Sequence, residues 1–325
     1  MQNASETKQN SFAEDVLKGL SSNPKFLSSK YFYDDEGSRL FQQIMKLPEY
    51  YLTRSEYEIL SGQTEEIFDS FDAAATAFDL IELGAGDGLK TAVLIEHFLR
   101  RGADFHYIPV DISSEALNIL TEKFSRRFPA LDIRSEQGDY FKALETFTGR
   151  SDKKKIILFL GSNIGNFSED QALDFFKNLR RVMNERDRLF IGFDLHKNPK
   201  TILNAYDDSL GVTAKFNLNL LKRINRELGA DFNIEEFSHY ASYHPLERAA
   251  RSFLISQKDQ VVTIKTLGRS FEFKKWEPIY MEVSQKYGER MIERLARDSG
   301  FQVARNFFDE NRFYLDSLWE PVSGK

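Results

Sequence analysis

FDLIELGAGDGLKT, residues 78–91, is the stretch on which the fold turns. Six residues of strand character run into glycines at 84, 86 and 88, and a helical pattern, LKTAVLIEHFLRR, follows at once. Glycine lets a backbone turn tightly and approach a ligand closely, and a helix N-terminus offers N–H groups without intrahelical partners. A strand, a glycine turn and a helix therefore make a cradle. Alone, such a cradle says little about its occupant.

Outward from it, residues 78–195 alternate between short apolar runs (FDLIEL, FHYIPV, KIILFLG, RLFIGFDL) and amphipathic helical stretches (SEALNILTEKFSRRF, EDQALDFFKNLRRVM). That alternation predicts an α/β fold with a parallel, doubly wound sheet. Residues 1–70 read as helical pieces. One is SRLFQQIMKL, with Leu40, Ile44 and Leu47 at helical spacing. Another is TRSEYEILSGQTEEIF, where Thr53 as N-cap and Glu56 three residues on spell a capping box. After residue 196 two helices (NPKTILNAYDDS, TAKFNLNLLKRINREL) precede strand-like pieces between His239 and Tyr287: RSFLIS, QVVTIKTLG, RSFEFKKW and IYMEVSQKY. A helix, GERMIERLARDSG, and two strands, FQVARNFFDE and RFYLDSLWEP, close the chain. The expected division is 61–196 plus 286–325 as the α/β domain, with 1–60 plus 197–285 as a second, smaller α+β lobe.

The composition narrows the classes. The chain has 325 residues, 41% of them apolar, which is ample for a core and argues against global disorder. It has no cysteine, and its five histidines show no HxxxH or HxH spacing, so no metal site is expected. A net charge of −6 speaks against a nucleic-acid partner. The basic runs SDKKKI and KKWEP read as solvated faces. The polar N-terminus has no apolar h-region, and no run of about 18 apolar residues occurs. A cytoplasmic protein without a membrane partner is expected.

Glycine turns of this kind serve nicotinamide cofactors, flavins and S-adenosylmethionine (SAM). Three details favour SAM. Glu82 stands two residues before the first glycine in ELGAGDG, a placement typical of SAM-dependent methyltransferases. The nucleotide fingerprint GxGxxG fails, because its third glycine position holds Leu89. The next two strand ends carry Asp111 (HYIPVD) and Asp139 (EQGDY), placed for ribose hydroxyls and an adenine amino group, with Tyr140 beside the ring. A simpler role for Asp111 is to cap the helix that begins at ISSEAL.

LPEYYLTRSE, ELGAGDGLK, FLGSNIGNF, AYDDSLGVTAKFNLNLLKRINRELGADF and MEVSQKY occur in this order. Together they resemble the SAM-dependent histidine Nα-methyltransferases of ergothioneine biosynthesis, from YFYDDEGS to the last strands. The resemblance implies a class I methyltransferase domain with a substrate lobe. A monomer acting on a small-molecule amino-acid substrate is expected. The implied reaction is trimethylation of the α-amine of L-histidine to hercynine, with SAM as methyl donor. It also implies cofactor contacts at Gly84, Lys90, Asp111, Asp139 and Tyr140, Lys90 lying one turn into the helix. Substrate contacts are implied at Tyr50, Asn166 and Tyr206, with Tyr33 as the catalytic tyrosine near the accepting amine.

Glu282 and Ser284, two apart on a strand and so on one face, would read the two nitrogens of an imidazole. For Glu282 the simpler role is a salt bridge to Lys286. One departure stands out: Ser252 falls where the family's histidine-specific members carry a methionine. N-methylation of another amino acid or amine is one alternative. A NAD-dependent oxidoreductase is another, opposed by Glu82 and the broken fingerprint.

Overall fold

The computed structural model describes residues 2–138, 140 and 153–322, with side chains from residue 11 onward. The strands in chain order are β1 (Lys25–Phe26), β2 (Phe78–Leu83), β3 (Phe105–Asp111), β4 (Asp132–Ile133), β5 (Glu136–Gln137), β6 (Lys154–Phe159) and β7 (Arg188–Asp194). There follow β8 (Phe237–His244), β9 (Ala249–Ser256), β10 (Gln260–Ile264), β11 (Arg269–Phe273), β12 (Pro278–Gln285), β13 (Phe301–Phe308) and β14 (Tyr314–Pro321). The chain divides into two compact units, Leu52–His196 with Gln285–Lys325 and Met1–Tyr51 with Lys197–Ser284.

The first unit is built on one sheet of order β13-β14-β7-β6-β2-β3-β4, with β5 also on β3. β2, β3, β6 and β7 run parallel, and β14 is antiparallel to both β7 and β13. Every residue of β2 and β6 is buried, Asp79, Glu82, Lys154 and Lys155 included, so neither strand shows the alternation of a half-exposed one. From β2 the chain steps outward to β3 and returns to β6 on the other side, so strand order reverses between β2 and β6. Open α/β sheets bind ligands outside the carboxyl ends of strands at such a switch point. This is the expected doubly wound sheet.

The second unit holds a four-stranded sheet, β1-β12-β9-β8, and a β10–β11 hairpin. Its core joins Phe12, Val16, Leu20 and Leu27 of the N-terminal segment to Phe216, Leu220, Leu254 and Met281. β8 and β9 form a hairpin in the register Ala241↔Ser252, and β1 pairs parallel with β12.

Several expectations change. The helix predicted from Thr53 begins at Tyr51 and ends at Gly62, and a separate helix spans Thr64–Ser70. Thr53 is thus inside a helix, and Glu56, 0% exposed, is no capping partner. Its partners lie elsewhere in the sheet unit, as do those of Ser55 and Gln63, which bond to Asp309 and the Phe308 carbonyl. These contacts bring the chain from Leu52 into that unit, so the division falls at Tyr51 and not at residue 60. Lys154 and Lys155 of SDKKKI are buried, not solvated. Lys154 donates to the Phe71 carbonyl at 2.7 Å, and Lys155 faces Asp187 at 3.7 Å.

Candidate active site

The glycine turn leaves β2 with Gly84, Gly86 and Gly88 all at positive φ, a conformation that side chains resist. A Cβ on Gly84 would stand 2.8 Å from the Tyr140 hydroxyl oxygen and 3.1 Å from Asn163 Nδ2. Nothing lies within 4 Å of a Cβ on Gly86, so the turn is open there. At Gly88 a Cβ would meet the Phe124 ring at 2.6 Å, which shows that this glycine serves helix packing.

Glu82, just before the turn, is buried and accepts from Thr91 Oγ1 at 2.5 Å and from the Tyr107 hydroxyl. Burial pushes its pKa up to about 7, against the pull of those two hydroxyls and of Lys90. It clamps the helix Thr91–Arg100 and β3 to the turn.

Asp111 ends β3. Its Oδ1 accepts from the Ser113 amide at 2.9 Å and its Oδ2 from the Gly86 amide at 3.3 Å. The helix Ser114–Arg127 is capped by Ser113, whose hydroxyl accepts from Ala116, so Asp111 is not its cap. Burial raises the Asp111 pKa from its ordinary value. Tyr140 sets its ring edge-on to Phe159, centroids 5.7 Å apart. Asp139, expected at the adenine, lies outside the described residues.

After β6, Gly161 and Ser162 take positive φ and lead into the short 3-10 turn Asn163–Asn166. Asn163, which sequence reasoning passed over, borders the glycine turn, and Asn166 ends the 3-10 turn half-buried. FLGSNIGNF carries both asparagines, and nothing local ranks one above the other.

Lys90 immediately precedes the helix instead of sitting one turn inside it. Its ammonium pairs with Glu56, whose carboxylate also accepts from the Gly161 amide at 2.7 and 3.0 Å and from the Tyr314 hydroxyl at 2.9 Å. Burial opposes the charge on Lys90, but Glu56 outweighs it and holds the pKa above the usual lysine range.

In the second unit, Tyr33 and Tyr50 both meet Phe41 edge-on, at 5.5 and 6.1 Å between centroids, and Tyr33 also meets Phe216 at 5.6 Å. Tyr50 is half-buried. Its neighbour Tyr51 is 5% exposed and its hydroxyl accepts from Lys197 at 2.8 Å, so Tyr51 is the packing member of the pair. At the end of the helix Pro199–Tyr206, the Tyr206 hydroxyl donates to Ser284 Oγ at 2.6 Å.

Along β12 the buried positions are Ile279 and Met281, then Ser284, so the burial phase changes at Glu282–Val283. Ser284 is buried and Glu282 half-buried. Lys286 pairs at 2.7 Å with Asp194, both wholly buried. Ser252, on β9, is buried with its hydroxyl 3.3 Å from His239 Nε2.

The glycine cradle, an acid at the next strand end and a cation beside the turn suit a ligand with a ribose and an amino-acid carboxylate. Comparison with known proteins agrees. Residues 12–321 match the family described as histidine-specific methyltransferase, SAM-dependent. The histidine N-alpha-methyltransferase of Mycobacterium tuberculosis is 35% identical over 296 residues, 91% of this chain and 90% of that one. Its namesake in Mycolicibacterium smegmatis is also 35% identical, over 90% of both chains. Ergothioneine biosynthesis protein 1 of Schizosaccharomyces pombe is 27% identical over 86% of this chain but only 37% of its own length. With a sheet whose ligand end carries the glycine cradle and a match along almost its whole length, this chain belongs to the SAM-dependent, histidine-specific methyltransferase family.

Proposed function

We propose that the protein transfers methyl groups from SAM to the α-amino nitrogen of L-histidine, three in succession, to give hercynine for ergothioneine synthesis. The observation that carries this reading is the 35% identity, along 91% of the chain, to a histidine N-alpha-methyltransferase. When bound, SAM supplies a methyl carbon on a sulfonium, a good leaving group. Asp111 accepts from its ribose hydroxyls, Asp139 and Tyr140 take the adenine, Gly84 gives room for the backbone to approach, and Lys90 meets the carboxylate. An ammonium has three donors, so Glu56 does not exhaust Lys90.

The remaining work is placement. Asn166, Tyr50 and Tyr206 hold the amino and carboxylate end of histidine, whose nitrogen loses a proton to solvent before each transfer, and orientation of this kind can lower a barrier by about 7–11 kcal/mol. Tyr33 lies near the accepting amine. Its hydroxyl can accept an N–H bond, and its ring face attracts the methylated ammonium by about 0.5–2 kcal/mol. At the far end Glu282 accepts the imidazole N–H, and Ser284 donates to the bare nitrogen.

One observation favours a second reading, a different amine in the same site. Ser252, the departure noted above, forms a polar pair with His239, and burial holds that histidine below its usual pKa. The 4-dimethylallyltryptophan N-methyltransferase of Claviceps fusiformis is 29% identical over 61% of this chain and 58% of its own. Mass spectrometry of the protein with SAM and mixed amino acids decides. Up to three added methyl groups on histidine alone is the expected result, and product only from another amine would overturn it.

No described helix is long and apolar enough to cross a membrane. Both reactants are pools of the cell interior, which supports a cytoplasmic enzyme. A monomer is the proposed state, checked by light scattering.

A further inference from the structure

Glu56 is remote from every motif that marks the site, yet it touches two of the loops that form it. It stands on the helix Tyr51–Gly62, 0% exposed. One oxygen takes the Gly161 amide at 2.7 Å and the Tyr314 hydroxyl at 2.9 Å. The other takes the same amide at 3.0 Å and the Lys90 ammonium. Gly161 opens the loop after β6, and Lys90 closes the turn after β2, the two strands between which the sheet order reverses. A Cβ on Gly161 would stand 3.2 Å from Lys90 Nζ, so the ammonium lies against that loop's backbone.

The surroundings are shaped for this carboxylate. Gly192 faces it from β7, and a Cβ there would collide with both Glu56 and the Tyr314 hydroxyl. Asp316, paired opposite Gly192, is wholly buried, and neither oxygen has a hydrogen-bond partner among the described residues. Burial first, and the neighbouring Glu56 second, push Asp316 well above the carboxylate range, and the Lys90 ammonium pairs with Glu56. An unpaired buried charge is strongly disfavoured, and that ties the position of Lys90 to Glu56.

We propose that Glu56 is the positioning residue for the amino-acid end of the cofactor. By gathering the Lys90 ammonium and the Gly161 amide on one carboxylate, it sets the spacing of the two loops that receive the methionine portion. The inference rests on the reading of Lys90 as the contact for that carboxylate, and the test separates the two.

Calorimetric binding of S-adenosylhomocysteine and of adenosine is measured on wild type, Glu56→Gln, Lys90→Met and the double variant. Glu56→Gln is expected to weaken S-adenosylhomocysteine by about tenfold and adenosine by less than about twofold, because only the first carries the amino-acid end. The double variant should be no worse than the weaker single one, since both act through the same contact. Unchanged or tighter S-adenosylhomocysteine binding in Glu56→Gln overturns the inference. So does an equal loss for both ligands, which marks a merely structural role, or strict additivity. If Lys90→Met itself leaves S-adenosylhomocysteine binding intact, the reading of Lys90 fails instead, and the inference falls with it. Should Glu56→Gln not fold, Tyr314→Phe removes one donor to the same carboxylate. A selective loss of about threefold for S-adenosylhomocysteine is then expected, and equal binding overturns the proposal.

Discussion

A serine hydroxyl has one proton to give and two lone pairs to accept with, and at Ser284 the Tyr206 hydroxyl takes up an accepting position. Under the proposed function the Ser284 proton goes to the bare imidazole nitrogen. In that proposal Glu282 has the complementary task. Losing it leaves an N–H unpaired and costs about 1–3 kcal/mol of histidine binding with little effect on the cofactor. Glu282→Ala is therefore expected to raise KM for histidine by about tenfold or more while KM for SAM stays within about twofold. Steady-state kinetics giving two unchanged constants would end the imidazole role. Gly84 makes the opposite kind of prediction. Its φ of +74° and the 2.8 Å approach of Tyr140 leave no room for a methyl group. Gly84→Ala should cost about 1–3 kcal/mol of stability and weaken SAM binding, with histidine affinity spared. Wild-type SAM affinity in that variant would show that the cradle is misplaced.

β2 shows what an element-level reading can and cannot see. Its apolar run and its glycines are local, so the strand, the turn and the following helix were legible from residues 78–91. Asp111, at the next strand end, was legible for the same reason. Glu82 is a local oddity with a measurable consequence. Its pKa of about 7, against 4.5 ordinarily, means that the folded state keeps a proton which the unfolded chain releases. Stability at this position therefore falls as pH rises from about 4.5 to about 7 and is level above, by about 3 kcal/mol in all. Glu82→Gln cannot titrate. Urea unfolding at a series of pH values should show wild type losing about that much relative to Glu82→Gln across this window, and parallel profiles would refute the shift. Glu56 was illegible because Gly161 lies 105 residues away and Tyr314 lies 258 away, so a short window saw only a capping box. Lys154 and Lys155 were misread in the same way, since their partners Phe71 and Asp187 are distant in sequence.

At the scale of the molecule, each compact unit is discontinuous, and that governs what a truncation does. The change of pattern at residue 197 made one boundary visible, whereas the helix Tyr51–Gly62 hid the other by carrying its burial into the sheet unit. The N-terminal segment supplies Phe12, Val16, Leu20 and Leu27 to the core that also holds Met281 of β12. β1 adds the edge of the same sheet, pairing Lys25 with Ile279 and Phe26 with Tyr280. Four buried side chains of this size contribute roughly 6–12 kcal/mol at about 1.5–3 each, comparable to the whole stability of a domain. Removing residues 1–27 should therefore unfold the unit that presents Tyr206, Glu282 and Ser284. It leaves the glycine turn, Asp111 and the Glu56–Lys90 pair in the other unit untouched. The expected outcome is loss of histidine methylation by mass spectrometry together with retained binding of S-adenosylhomocysteine by calorimetry. Undiminished histidine turnover in the truncated protein would show that β12 holds its place without the N-terminal segment, and that the substrate residues do not depend on this core.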